Sequence, residues 1–263
     1  MPTFVQLLHP GKEPGASHGN IKEWNRGEHR RKFVRNPGSC LTDNGFKNGE
    51  LLFWCEWEPE SVVTDIADNT IIHGPQYLHI PFYLRHDFNE GLQRTDPFVF
   101  GDRFHYVICR QYKNNRPTRL RFLDRGSVIL FGSCLAGSFI LDTVFVVDKW
   151  IEFDRENAAS VLNGKVSKTY WDTVIEPLLI SKKGICSGGD EFRLYYGATY
   201  ENSIRGMFSF SPCLLAGNIR GFARPAIKLD NAITDRITQG YKLTDLNDIH
   251  KRQLSWIERR LVC

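Results

Sequence analysis

The sequence predicts an α+β protein built mainly on an antiparallel, curved or barrel-like sheet, with a few helices. Three observations carry that expectation. Short β-branched and aromatic runs recur along most of the chain, they follow one another without a helix between each pair, and helical spacing is confined to a few segments. The 263 residues are 41% hydrophobic and 24% charged, with a net charge of +4, which excludes a disordered or collagen-like chain.

The strands are expected in order. Thr3 to Leu8 opens the chain as a β-branched and apolar run. Leu51 to Glu58 starts apolar and then alternates, so that Trp54 and Trp57 would fall on opposite faces. Ser61 to Ile66 continues after Pro59, and Gln76 to Leu84 carries Pro81, an edge or bulge residue. His105 to Gln111 alternates loosely. Ser127 to Gly132 and Phe139 to Asp148 give the strongest strand signals, with Gly137 in the turn between them. Phe192 to Thr199 and Met207 to Phe210 form a later pair.

Helices are expected at Asp154 to Leu162, stopped by Asn163-Gly164, and at Tyr170 to Ser181, turned or kinked by Pro177. A third, amphipathic C-terminal helix is predicted from Leu246, Ile249, Leu254, Ile257 and Leu261, with Thr244 as its cap and Asp245 in its first turn. Gly-, Pro- and Asn-rich loops fall at Pro10 to Gly19, Asn36 to Gly49, Asn114 to Pro117 and Lys182 to Asp190. No long linker follows the last of these, so residues 1–263 read as one domain with a helical insertion at about 154–181.

No apolar run reaches the ~18 residues that a membrane span requires. Seven cysteines, odd in number and never spaced as C-x-x-C, argue against a disulfide framework or a zinc ribbon and for a reducing, cytoplasmic setting. The P-loop, Rossmann, zincin and serine-hydrolase signatures are all missing. No cofactor is assigned, and His9, His18 and His29 have no standard ligand spacing, so no metal site is assigned either.

Three groups of residues point to chemistry. His9 stands at the end of the first strand before Pro10-Gly11, a place that exposes an imidazole for acid–base work. Arg30, Arg31, Lys32 and Arg35 follow Trp24 in a basic segment, and Arg116, Arg119 and Arg121 lie in a second one. Basic side chains neutralise phosphates, and guanidinium binds them in a bidentate way. Trp57, Tyr106 and Trp24 are the candidate stacking surfaces for a base. The arginines of the second segment have an alternative use, as partners for Glu56, Glu58 and Glu60. Asp142 and Asp148 read as the polar ends of a half-buried strand.

The segment Gly101-Asp102-Arg103-Phe104-His105-Tyr106 and, more loosely, Gly126 to Phe131 are polar turns opening into apolar strands. In this they resemble a recurring element of the PUA-like superfamily, which includes the ASCH and EVE domains. The resemblance implies a small β-barrel that recognises RNA or a modified base in an aromatic-walled pocket.

The leading expectation is therefore a protein that binds a nucleotide or nucleic acid in an aromatic and basic pocket. The alternatives are an enzyme acting on such a substrate with His9 as acid–base residue, and a protein-interaction module.

Overall fold

The computed structural model describes residues 1–9, 13, 21–66, 76–84, 91–181, 191–217, 221–237 and 239–246. In chain order the strands are β1 (Thr3–Leu8), β2 (Ile21–Lys22), β3 (Arg31–Thr42), β4 (Gly45–Glu56), β5 (Ser61–Ile66), β6 (Tyr77–Pro81) and β7 (His105–Tyr106). They continue with β8 (Tyr112–Lys113), β9 (Arg116–Pro117), β10 (Val128–Leu135), β11 (Ser138–Asp154), β12 (Glu191–Gly197), β13 (Cys213–Leu215), β14 (Ala226–Ile227) and β15 (Gly240–Asp245).

Among the described residues the strands form two large open sheets and the two-stranded β8–β9 hairpin, not a closed barrel. The seven-stranded sheet runs β15-β1-β10-β11-β12-β7, with β14 on β11, and the six-stranded sheet runs β13-β4-β3-β6-β5-β2. Pairing is antiparallel except at β1–β10 and β3–β6. Strand β1 is buried on both faces: Phe4 and Leu8 join one apolar cluster, while Val5 and Leu7 join another. Gln6, also fully buried, exchanges two hydrogen bonds with the backbone of Thr234. That satisfies the only polar group the strand brings inside.

Five expectations change. Asn36 to Gly49, expected as a loop, forms most of the β3–β4 hairpin, in which Arg31 pairs with Glu56 and Thr42 with Gly45. Strand β11 runs on to Asp154, beyond its expected end. The loosely alternating His105 to Gln111 keeps only the two-residue strand β7, and Met207 to Phe210 makes isolated bridges. Thr244 and Asp245 are not the start of a helix. They lie in β15, where edge pairing with Phe4 and Thr3 satisfies their backbone. Leu246 is buried beside β1, and from residue 247 on the expected C-terminal helix lies outside the described residues.

Helices are short: α1 (Ala158–Leu162), α2 (Lys168–Tyr170) and α3 (Glu176–Ile180), the last two joined by a wider π turn over Trp171–Ile175. Ser167 caps α2 by accepting from Tyr170 N, and Pro177 falls in the first turn of α3, directly after the π turn. Tyr170, Val174 and Leu178 dock into a cluster shared with Phe53 and Trp57 of the six-stranded sheet region and Phe192 and Leu194 of β12. This cluster ties the two sheets together. Among the described residues no helix is long and apolar enough to cross a membrane.

Candidate functional site

A β-bulge places the central carboxylate of the site. In the β10–β11 ladder Phe131 faces Thr143 and Gly132 faces Leu141, so Asp142 is the extra residue. A bulge re-aims one side chain, and here it turns a carboxylate into the protein. Gly132 is required at this point, because a Cβ there would lie 2.2 Å from the Ile140 carbonyl oxygen. The Gly132 carbonyl also accepts from His9 N at 2.8 Å, which extends β1 by one residue and sets the imidazole beside the bulge.

Asp142 is buried and bridges two guanidinium groups. Its Oδ2 accepts from Arg31 Nη1 at 2.6 Å and its Oδ1 from Arg224 Nη1 at 2.7 Å. Arg224 also lies over the Trp54 ring, 4.3 Å from its centroid. Arg31 donates through Nη2 to His9 Nδ1, and the same Nη2 is 3.7 Å from Glu56 Oε2. A guanidinium has no acceptor, so His9 Nδ1 must accept and its proton sits on Nε2. That nitrogen faces Glu56 Oε2 at 3.3 Å.

The network continues to the surface. His29 Nδ1 stands 2.7 Å from Glu58 Oε1 and 3.1 Å from Glu56 Oε1. Glu58 also accepts from Asn25 Nδ2 and from Arg30 N. Asp96 N donates to Glu56 Oε1 at 3.2 Å, and the Asp96 carboxylate is itself held by the N–H groups of Val107, Ile108 and Cys109. His9 and Asp142 come from the seven-stranded sheet, Arg31 and Glu56 from the six-stranded sheet, so the charges are a seam between the two.

The seam separates its two imidazoles. Burial, then the Arg31 charge, pushes His9 down to about 3, so it is neutral at pH 7. Burial also acts to lower His29, but the Glu56 and Glu58 carboxylates outweigh it and raise His29 to about 10. Burial raises Glu56, yet His9, His29 and Arg31 together hold it down at about 2. Burial beside that neighbour raises Glu58.

A second feature lies along the same two sheets. A cavity of about 740 Å³ opens between β4 and the β10–β11 pair. Phe46, Phe100, Phe104 and Phe208 are among its walls, and Asn36, Arg103 and Ser209 supply polar edges. Val144 and Val146, two and four residues beyond Asp142, line it too.

The predicted site residues scatter. His9 and Arg31 enter the seam. His9 is 8% exposed, with Nδ1 accepting from Arg31 and Nε2 turned to Glu56 Oε2 at 3.3 Å, so it is not presented for acid–base work. Arg30 pairs with Glu28 and Arg35 with Glu50. Lys32 is fully buried and donates to the carbonyls of Trp57 and Pro59, and burial lowers it to about 8. Arg121 is buried against Glu191 and the Tyr112 ring, away from the partners of Arg31, whereas Arg116 and Arg119 are exposed on the β8–β9 hairpin and the turn after it. The three stacking candidates are all core residues. Trp57 donates to the Glu60 carbonyl, Tyr106 to Cys109 and Trp24 to Gln93. Their exposures of 3%, 0% and 5% leave no face for a base.

Sequence reasoning missed Asn25, His29 as a partner of acids, Glu56 and Glu58 as a site, Asp142 and Arg224. A signal existed for one pair only: Glu56 and Glu58 alternate around Trp57 at the end of an apolar strand, where carboxylates need partners. No protein-family model, curated protein or solved structure matches the chain.

Proposed function

We propose that the protein binds a nucleotide, or one nucleotide unit of a nucleic acid, in the cavity between its two sheets. The carrying observation is the cavity itself. Its roughly 740 Å³ falls in the range that small-molecule sites occupy, and it combines aromatic walls with a few polar groups. Phenyl rings offer faces to a planar base, Asn36 and Ser209 offer donors and acceptors to its edge, and Arg103, whose Nη1 stands 3.4 Å from Asp148, offers its remaining guanidinium donors to a phosphate. This cavity uses none of the stacking or basic residues expected from the sequence. Arg116 and Arg119, exposed elsewhere, are a separate phosphate-contacting surface in this reading.

The test is titration of the full chain with nucleoside monophosphates and their nucleosides, followed by calorimetry. Saturable binding is expected for at least one base, tighter with the phosphate than without. Met207→Trp, which puts an indole into the space, is expected to abolish it while the thermal transition is kept. Binding that is unchanged in Met207→Trp, or none with any of the four bases, overturns the reading.

A second reading is an enzyme acting on the same class of substrate. The buried seam favours it, because catalytic sites are where charges are brought together and their ionisation driven apart. In that reading His9 is a positioning residue for Glu56, and the chemistry belongs to the surface end of the seam.

A further inference from the structure

Three side chains at the surface end of the seam make a compact donor set. Strand β4 ends on Glu56, and Glu58 follows two residues later. Both carboxylates are buried, with side-chain exposures of 1% and 0%, while His29 keeps 45% of its side chain open. One nitrogen and two oxygens, one from each residue, lie within 4.8 Å of one another.

The set is held from behind, as ligands of a metal ion are. Asn25 Nδ2 and Arg30 N fix Glu58, Asp96 N fixes Glu56, and His9 Nε2 faces the second Glu56 oxygen. That oxygen is buried and accepts no hydrogen bond. The charge also suits a cation. Arg31, Arg224 and the His29 imidazolium balance Glu56, Glu58 and Asp142, so a divalent ion would take the place of the His29 proton between the same two carboxylates.

We propose that His29, Glu56 and Glu58 bind one divalent transition-metal ion of the zinc or manganese class. An imidazole with two carboxylates suits those ions, whereas calcium takes six to eight oxygens and magnesium keeps mostly water. Tetrahedral donors at about 2.1 Å from a metal are about 3.4 Å apart, so the triad opens by roughly half an ångström from the 2.7 and 3.1 Å now between His29 and the carboxylates. The exposed side of His29 is the way in, and it leaves further positions on the ion for water or a substrate oxygen. The proposal does not depend on what the inter-sheet cavity holds.

The experiment uses the full chain, freed of metal by chelation, with Zn²⁺ and Mn²⁺ added separately and no nucleotide present. One ion per chain is expected by calorimetry. Bound Mn²⁺ is expected to show the nitrogen coupling of one imidazole by electron spin-echo spectroscopy of the unmutated protein. His29→Ala is expected to remove that coupling, and Asn25→Ala, which leaves all three ligands, to weaken affinity about 10–100-fold. No binding at millimolar metal overturns the proposal, as does bound Mn²⁺ without nitrogen coupling, or an affinity that His29→Ala leaves unchanged. Because these readouts need no nucleotide, they stand or fall separately from the cavity reading.

Discussion

Asp142 and Val144 are two residues apart on β11, yet they serve opposite kinds of space. Asp142 belongs to a buried polar seam, where each of its carboxylate oxygens meets a guanidinium. Val144 faces a cavity of about 740 Å³ with aromatic walls and little charge. The bulge at Gly132 separates them: it turns Asp142 one way and lets the next residues resume the ladder. A filled polar seam specifies how two sheets meet, because its members are satisfied in one arrangement only. An open apolar space specifies nothing by itself and is available to a ligand.

The largest effect should come from breaking the seam at its centre. Asp142→Ala leaves the Arg31 and Arg224 guanidinium groups buried without their shared carboxylate. Removing one partner of a buried pair costs about 3–5 kcal/mol. Urea unfolding should show that loss, and a change below about 1 kcal/mol would mean that water already reaches the seam.

Next comes the bulge. Gly132→Ala pushes a methyl group against the Ile140 carbonyl at 2.2 Å and the Phe139 ring at 2.7 Å. Overpacking that shifts backbone costs about 1–3 kcal/mol. The informative readout is whether it also weakens metal binding at the surface end of the seam. Loss of stability with unchanged metal affinity would show that the bulge and the triad are uncoupled.

A pH test asks whether buried polarity outside the seam behaves as it does inside. His79 is fully buried, with Nδ1 near Ser61 Oγ and Nε2 unpartnered. Burial, then Lys32 and Lys22, lowers it to about 3 from 6.5. A base with a depressed folded value binds fewer protons than the unfolded chain between those two limits. Stability from this group is therefore complete above about pH 6.5 and falls as pH drops toward 3. The expected loss is on the order of 5 kcal/mol at the acid end. His79→Asn should flatten that limb of a melting-temperature profile, and an unchanged slope would assign it to other groups.

Legibility in the sequence followed the range of the interactions. β-Branched, apolar and aromatic runs gave β1, β5, β10 and most of β11, since strand propensity is local. Strand β3 escaped because its first residues are Arg31 and Lys32, which read as solvated charge. Their partners Asp142, Glu56 and the Trp57 carbonyl are 111, 25 and 25 residues away. The basic composition of that segment was visible, but not that it faces inward. Likewise, Asp142 reads as a strand-end polar residue until the bulge is known, and a bulge leaves no mark on alternation beyond one glycine. Arg224 offered no signal at all: its neighbours Phe222 and Ala223 form no motif, and only the fold sets it over Trp54.

The smallest effects should come from the exposed arginines, and they sharpen the contrast between buried and solvated charge. Arg116 and Arg119 lie at the surface, so replacing either by Ala should change stability by no more than about 0.5 kcal/mol. If the hairpin touches phosphates, the double variant should instead lower affinity for single-stranded oligonucleotides and reduce its salt slope by about one to two. Mononucleotide binding in the cavity should stay as it was. An equal fall in both affinities would mean that the hairpin and the cavity share one ligand, and their separation on the protein would then have to close when that ligand binds.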